Sequence, residues 1–174
     1  KIFDKFLKKL VLRIKKLKVG NGFEKSDVGP LISEKAIKKI KNHIDDALSK
    51  GGEILIGGKK SKIGKLFFEP TIVTNINKNM KIFSNENFGP IIPVIKFKSD
   101  DELIQLANDT NYGLAAYFYT KKASRVWKII ENLEYGMLGI NSGKISSYLN
   151  PFGGLKESGV GREGSLQCLE PFLE

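Results

Sequence analysis

Over the first eighteen residues, KIFDKFLKKLVLRIKKLK, apolar positions recur every three or four places. That spacing puts Phe3, Phe6, Leu7, Leu10, Ile14 and Leu17 on one face of a predicted helix. The run is not a secretory signal, which would be more continuously apolar and end in small residues. It begins without a capping residue, which leads us to expect a piece of a longer polypeptide. VGNGFEKSDVGP then has loop chemistry, with a break at Gly29-Pro30. A second amphipathic helix is predicted from the N-cap Ser33 to Lys50, with Ile37, Ile40, Ile44, Ala47 and Leu48 inward and Gly51-Gly52 as its stop. His43, at the edge of that face, reads as a surface or boundary histidine.

Beyond the glycine pair the pattern changes period. EILIGG reads as a buried strand, and LFFEPTIVTNI as extended chain that Pro70 suits to an edge or bend rather than a sheet centre. PIIPVIKF is another apolar strand. Ser99 and Glu102 then form a capping box opening the helix DELIQLAND. LAAYFYT, ASRVWKIIENL and YGMLGIN follow as strand, helix and strand. Such alternation with short connections predicts βαβ units and a mostly parallel sheet with flanking helices, hence an α/β fold. No repeat, low-complexity tract or linker divides residues 1–174, so a single domain is expected.

Composition narrows the function classes. The chain has 174 residues, 41% hydrophobic and 28% charged, a globular balance. No apolar run nears the roughly 20 residues of a membrane span, so no membrane partner is expected and a cytoplasmic location is. One cysteine and one histidine supply neither an internal disulfide nor a zinc-type ligand cluster, so no metal site is expected. The net charge of +10 comes from 29 Lys+Arg against 19 Asp+Glu. The lysines are scattered and interleaved with apolar faces, which reads as solvated surface, and nucleic acid is not the expected partner.

One stretch matches a known fingerprint. GVGREG, residues 159–164, fits G-x-G-x-x-G, but no strand feeds it, and the residues after it are too few for a helix and a second strand. We read it as a glycine-rich turn forming a pocket wall.

Four segments in order, NENFGPIIPVIKF, ANDTNYGLAAYFYT, EYGMLGINSGKISS and PFGGLKESGVGREGS, resemble aldehyde dehydrogenases, most closely the succinate-semialdehyde dehydrogenase branch. The earlier LKVGNGFEKSDVGPLISEKAIKKIKNHIDDALSKG fits the same family. The resemblance implies that the chain is the C-terminal part of a catalytic domain. The family's nucleophilic cysteine, its general-base glutamate and its cofactor domain would all lie upstream, so no catalytic residue is expected here and the segment alone is expected to be inactive. In the parent, a cysteine thiolate attacks the aldehyde to give a thiohemiacetal, hydride passes to NAD or NADP, and activated water releases the acid. The resemblance further implies a small aldehyde substrate, succinate semialdehyde first, and a homo-oligomeric parent, with a mitochondrial location also open for it. NAD and NADP are not distinguished, and binding of either by this segment alone is not expected.

The same resemblance implies roles for individual residues. Glu86 matches a carboxylate that accepts from ribose hydroxyls, and Phe88 a ring beside the nicotinamide. Lys39 matches a helix lysine that reaches the cofactor ribose, with a solvated surface lysine as the equal alternative. Ser146 matches a serine on the substrate's distal carboxylate, with Ser147 as its neighbour. Phe152 matches an aromatic of the aldehyde tunnel, with a core phenylalanine equally open. Lys156 and Arg162 read as loop structure, and Cys168 as an inert, partly buried thiol. The competing reading is a non-catalytic basic module derived from the catalytic lobe, which binds partners through an exposed face or its lysines.

Overall fold

The computed structural model describes residues 2–173. Lys1, the first position of the predicted N-terminal helix, lies outside them. The fold is α/β and divides into two compact units, Lys1–Lys96 and Phe97–Glu174.

In the first unit, helix α1 runs Phe3–Ile14 and α2 runs Glu34–Ser49. Ser33 caps α2 as its sequence requires, its Oγ accepting from the Ala36 N–H at 3.2 Å. The helix ends at Gly51, whose φ of 90° is the left-handed conformation that glycine adopts without strain. Ile37, Ile40, Ile44 and Ala47 form its buried stripe. Each fully buried isoleucine contributes on the order of 1.5–3 kcal/mol. Leu48 is 45% exposed and lies off that stripe, where an inward position was expected. Near its C-terminus Asp46 accepts from the Lys81 N–H at 2.8 Å and pairs with Lys50 at 2.7 Å. The Lys50 ammonium first, then the Lys81 N–H, hold the Asp46 carboxyl below its ordinary value.

The stripe packs on a three-stranded sheet, β1 (Glu53–Ile56), β2 (Thr71–Thr74) and β3 (Ile91–Pro93), in that spatial order. β1 pairs antiparallel with β2, and β3 parallel with it. Two expectations about this sheet are corrected. β1 alternates exposed and half-buried positions, so it is the edge. β2 is the centre and buried at all four positions. Pro70 does not demote it because the proline stands just before the strand, where no ladder donor is needed. The first ladder bond is made by the next residue, from Thr71 N–H to Pro90 O at 2.8 Å. Thr71, fully buried, spends its hydroxyl locally, donating to Glu69 O at 2.7 Å and accepting from Gly58 N–H at 2.8 Å. Helix α1 covers the other apolar group, with Phe3, Leu7, Leu10 and Val11 against Ile14, Ile72 and Val94. A short helix α3, Lys81–Ser84, buries Ile82 and leads into the loop before β3.

In the second unit α4 (Asp100–Asn108) opens on Ser99, whose Oγ accepts from Glu102 N–H at 3.2 Å. The return bond lands one residue early, from Lys98 N–H to the Glu102 carboxylate at 2.7 Å. Ser99→Ala removes one half of this reciprocal cap and is expected to cost about 1 kcal/mol. A lower thermal midpoint with an unchanged far-UV spectrum checks it. The predicted βαβ unit is present: β5 (Ala115–Phe118), α5 (Ala123–Ile130) and β6 (Met137–Ile140), with β5 and β6 parallel and in register from Ala115–Met137 to Phe118–Ile140. A small antiparallel pair, β4 (Tyr112–Gly113) with β7 (Leu155–Lys156), falls in what the sequence suggested was loop. Among the described residues of this unit Ile129 is the buried apolar side chain, while Trp127 and Tyr119 stand 63% and 66% exposed.

Candidate functional site

In the first unit, the segment Asn85–Gly89 crosses from α3 to β3. Glu86 and Phe88 are exposed, whereas Asn87 between them is half-buried. Asn87 Nδ2 donates to Ile82 O at 3.1 Å, and its Oδ1 lies 2.8 Å from His43 Nδ1. Gly89 presses its backbone onto Ile40, one turn along α2 from His43; a Cβ there would lie 3.1 Å from Ile40 Cγ1 and closer still to Cδ1. The loop is therefore pinned at Asn87 and Gly89 and offers Glu86 and Phe88 outward. Phe88 is 80% exposed at a φ of 44°, a strained conformation for a bulky residue.

Helix α2, which anchors this loop, also carries Lys39. Lys39 and His43 stand four residues apart on one helical face, about 5–6 Å between Cβ atoms for that spacing. Lys39 is exposed. The loop thus offers an acceptor carboxylate and a flat apolar ring outward, and the helix that anchors it carries a cation one turn before His43. That set suits a ribose with an attached aromatic ring, since a carboxylate accepts two hydroxyl donors and the ring offers a stacking surface.

The sequence reading missed His43. It is 3% exposed, a buried residue with a polar partner rather than a surface or boundary one. The signal was present: His43 falls three residues after Ile40 and four before Ala47, within the apolar stripe.

In the second unit, the expected substrate residues fall on two separate concavities. Ser146 lines one of about 520 Å³ beyond β6, together with Ser142, Lys144, Ser147 and Asn150. Phe152, half-buried, lines another of about 510 Å³ with Leu114, Arg162, Cys168 and Phe172. The walls of the second are the glycine-rich turn. Phe152 and Glu163 exchange two backbone bonds of 2.7 Å across it, and Gly159, Gly161 and Gly164 take φ values of 136°, 81° and 66°. GVGREG is thus a turn that returns to Phe152 through a single bridge at Glu163, followed by a 3₁₀ helix from Leu166 to Phe172. Arg162 is structural, donating to Gly154 O at 3.1 Å and Gly161 O at 2.6 Å. So is Lys156, which donates to Asn108 O at 2.9 Å and Thr110 O at 3.0 Å, at the C-terminal end of α4. Tyr135 hydroxyl donates to Ala107 O at 2.6 Å nearby, and burial raises its pKa.

The aldehyde dehydrogenase family model matches residues 1–174. The chain belongs to the aldehyde dehydrogenase family. This aldehyde dehydrogenase chain is 48% identical, over 99% of its length, to a succinate semialdehyde dehydrogenase of Acinetobacter baylyi, and covers 36% of that protein. It is 48% identical, over 99% of its length, to a glutarate-semialdehyde dehydrogenase of Pseudomonas aeruginosa, again covering 36%. Among solved structures it superposes on a succinate-semialdehyde dehydrogenase of Burkholderia pseudomallei with a TM-score of 0.94 at 49% identity, over 97% of this chain and 35% of that one. An NADP-dependent enzyme of E. coli gives a TM-score of 0.97 at 47% identity, over 99% of this chain and 36% of that one. The chain thus spans about a third of the length of the relatives it matches. Among the described residues no helix is long and apolar enough to cross a membrane.

Proposed function

We propose that the protein to which this chain belongs oxidises an aldehyde to a carboxylic acid with NAD or NADP, and that the aldehyde carries a distal acid group. On this reading residues 1–174 are part of its catalytic domain. The observation that carries the reading is the pinned loop that holds Glu86 and Phe88 outward on a strained backbone. Phe88 is 80% exposed at φ 44°, and backbone outliers of this kind cluster at ligand-binding sites, where the surroundings hold them in place.

The chain's own residues would act as follows. Glu86 accepts hydrogen bonds from the ribose hydroxyls and fixes the sugar. Phe88 packs beside the nicotinamide and limits its rotation, so that one ring face is turned toward the aldehyde. Lys39, on the adjacent helix face, reaches the ribose from the side. The nicotinamide, when bound, supplies the hydride acceptor. Orientation of this kind lowers the barrier by removing rotational freedom before reaction. Ser146 offers a hydroxyl donor to the distal carboxylate from its open concavity, and Phe152 supplies apolar surface to the aldehyde chain. The names of the relatives favour semialdehydes of four or five carbons.

The test is an assay of the complete reading frame. Succinate semialdehyde, glutarate semialdehyde and butanal are each offered with NAD and with NADP, and nicotinamide reduction is followed. The expected result is aldehyde-dependent reduction with kcat/KM at least about tenfold higher for an acid-tailed aldehyde than for butanal. One good charge-assisted contact is sufficient for that ratio. Reduction with no preference removes the acid-tail part, and no reduction with any pair removes the whole reading.

A further inference from the structure

The pin beneath the Glu86–Phe88 loop has a defined polarity. Because Asn87 Nδ2 is spent on Ile82 O at 3.1 Å, the amide oxygen is the atom turned to His43. An amide oxygen only accepts, so His43 Nδ1, 2.8 Å away, carries the proton. We propose that His43 is a positioning residue for the nicotinamide site: its Nδ1–H holds Asn87, and through Asn87 sets the presentation of Glu86 and Phe88. This rests on the reading of Glu86 and Phe88 as cofactor contacts.

Packing alone does not call for an imidazole here. His43 is 3% exposed between Ile40, Ile44 and Ala47, where a leucine would fill similar volume without placing a polar ring in an apolar stripe. The polar group has one partner that the structure identifies, and that partner is the residue between the two outward side chains. The loop also needs holding, since Phe88 occupies the left-handed region. Of its other anchors, Gly89 on Ile40 fixes only the far end, and the Asn87 Nδ2–Ile82 O bond ties the loop only to the short helix α3 just before it. With the Asn87 bond cut, the strained peptide relaxes, and Glu86 and Phe88 move together away from the orientation the ribose requires.

The experiment uses the complete reading frame and its whole polypeptide, with KM for NAD and for NADP, KM for the aldehyde, kcat and the thermal midpoint measured on each variant. His43→Leu is expected to raise the cofactor KM about five- to tenfold, with the aldehyde KM within twofold of wild type. A single lost hydrogen bond supports a change of that size. His43→Asn places an amide N–H close to the position of Nδ1 and is expected to restore the cofactor KM to within about twofold. Asn87→Ala cuts the same bond from the loop side without opening the core and also removes the Nδ2–Ile82 O bond, so its effect should be at least that of His43→Leu, and adding His43→Leu to it should raise the cofactor KM no further. If His43→Leu and Asn87→Ala lower only the midpoint and leave the cofactor KM unchanged, or if His43→Asn behaves like His43→Leu, the positioning role is overturned. Glu86→Gln separates the two levels. A raised cofactor KM in Glu86→Gln with none in His43→Leu overturns the pin alone, whereas no change in Glu86→Gln overturns the cofactor reading and the pin with it.

Discussion

Gly136→Ala is expected to destabilise the second unit by more than about 3 kcal/mol and to displace the loop that carries Phe152. A Cβ on Gly136 would lie 2.9 Å from both the carbonyl carbon of Gly153 and Cα of Gly154, and closer still to the Gly153 oxygen. Every atom in its way is backbone, so no side-chain rotation relieves the contact. Neither partner is free to shift. Gly136 donates its N–H to Gly113 O at 2.8 Å, and just after it β6 pairs with β5. Gly153 follows Phe152, which is locked to Glu163 by two 2.7 Å bonds, and its far side faces Gly161 O and the Arg162 side chain. The expected result is a large fall in the unfolding midpoint with faster amide exchange in both Met137–Ile140 and Phe152–Gly154. Gly159→Ala is the control. At φ 136° it strains the backbone, but nothing lies within 4 Å of its Cβ, and a loss of about 1 kcal/mol is expected. Equal losses in the two variants would show that the close approach is not what holds this loop.

The contrast between those glycines illustrates what the sequence made legible. The density of glycine from 153 to 164 predicted a turn with special backbone angles, and three of those glycines have them. Gly136 carries no such mark. Its necessity comes from a segment seventeen residues later lying against it, and no local pattern encodes that approach. The same division runs through the first unit. Helix α2 was readable because its period, its Ser33 cap and its Gly51 stop are local chemistry. The central place of β2 was not, since Pro70 is a breaker only where a ladder donor is missing, and which residue donates first depends on β3 arriving alongside.

The site divides likewise. Glu86, Phe88, Lys39, Ser146 and Phe152 came from resemblance, residue by residue. The structure adds that Glu86 and Phe88 stand outward on one loop anchored to the helix that carries Lys39, and that Ser146 and Phe152 line different concavities. What no resemblance supplied is the support beneath the loop. His43 and Asn87 are 44 positions apart, and only the packing of α2 on the segment before β3 brings them together.

That packing should also be measurable as a coupling. Gly89→Ala is expected to cost about 2–3 kcal/mol, because its new Cβ would enter the space of Ile40 Cδ1, a fully buried atom with no open direction. Ile40→Val removes that same methyl group and alone is expected to cost about 0.5–1.5 kcal/mol for the space it leaves. In the double variant the methyl group introduced at position 89 occupies the place that the isoleucine vacates. The next atom, Cγ1, lies 3.1 Å from that Cβ, so a residual squeeze remains and full compensation is not expected. The pair should therefore be more stable than the sum of the single losses by about 1–2 kcal/mol, the size seen for residues in direct contact. Denaturant midpoints of the four proteins give the number. Additive losses would mean that Gly89 is not seated on Ile40, and the loop bearing Glu86 and Phe88 would then be without its second anchor.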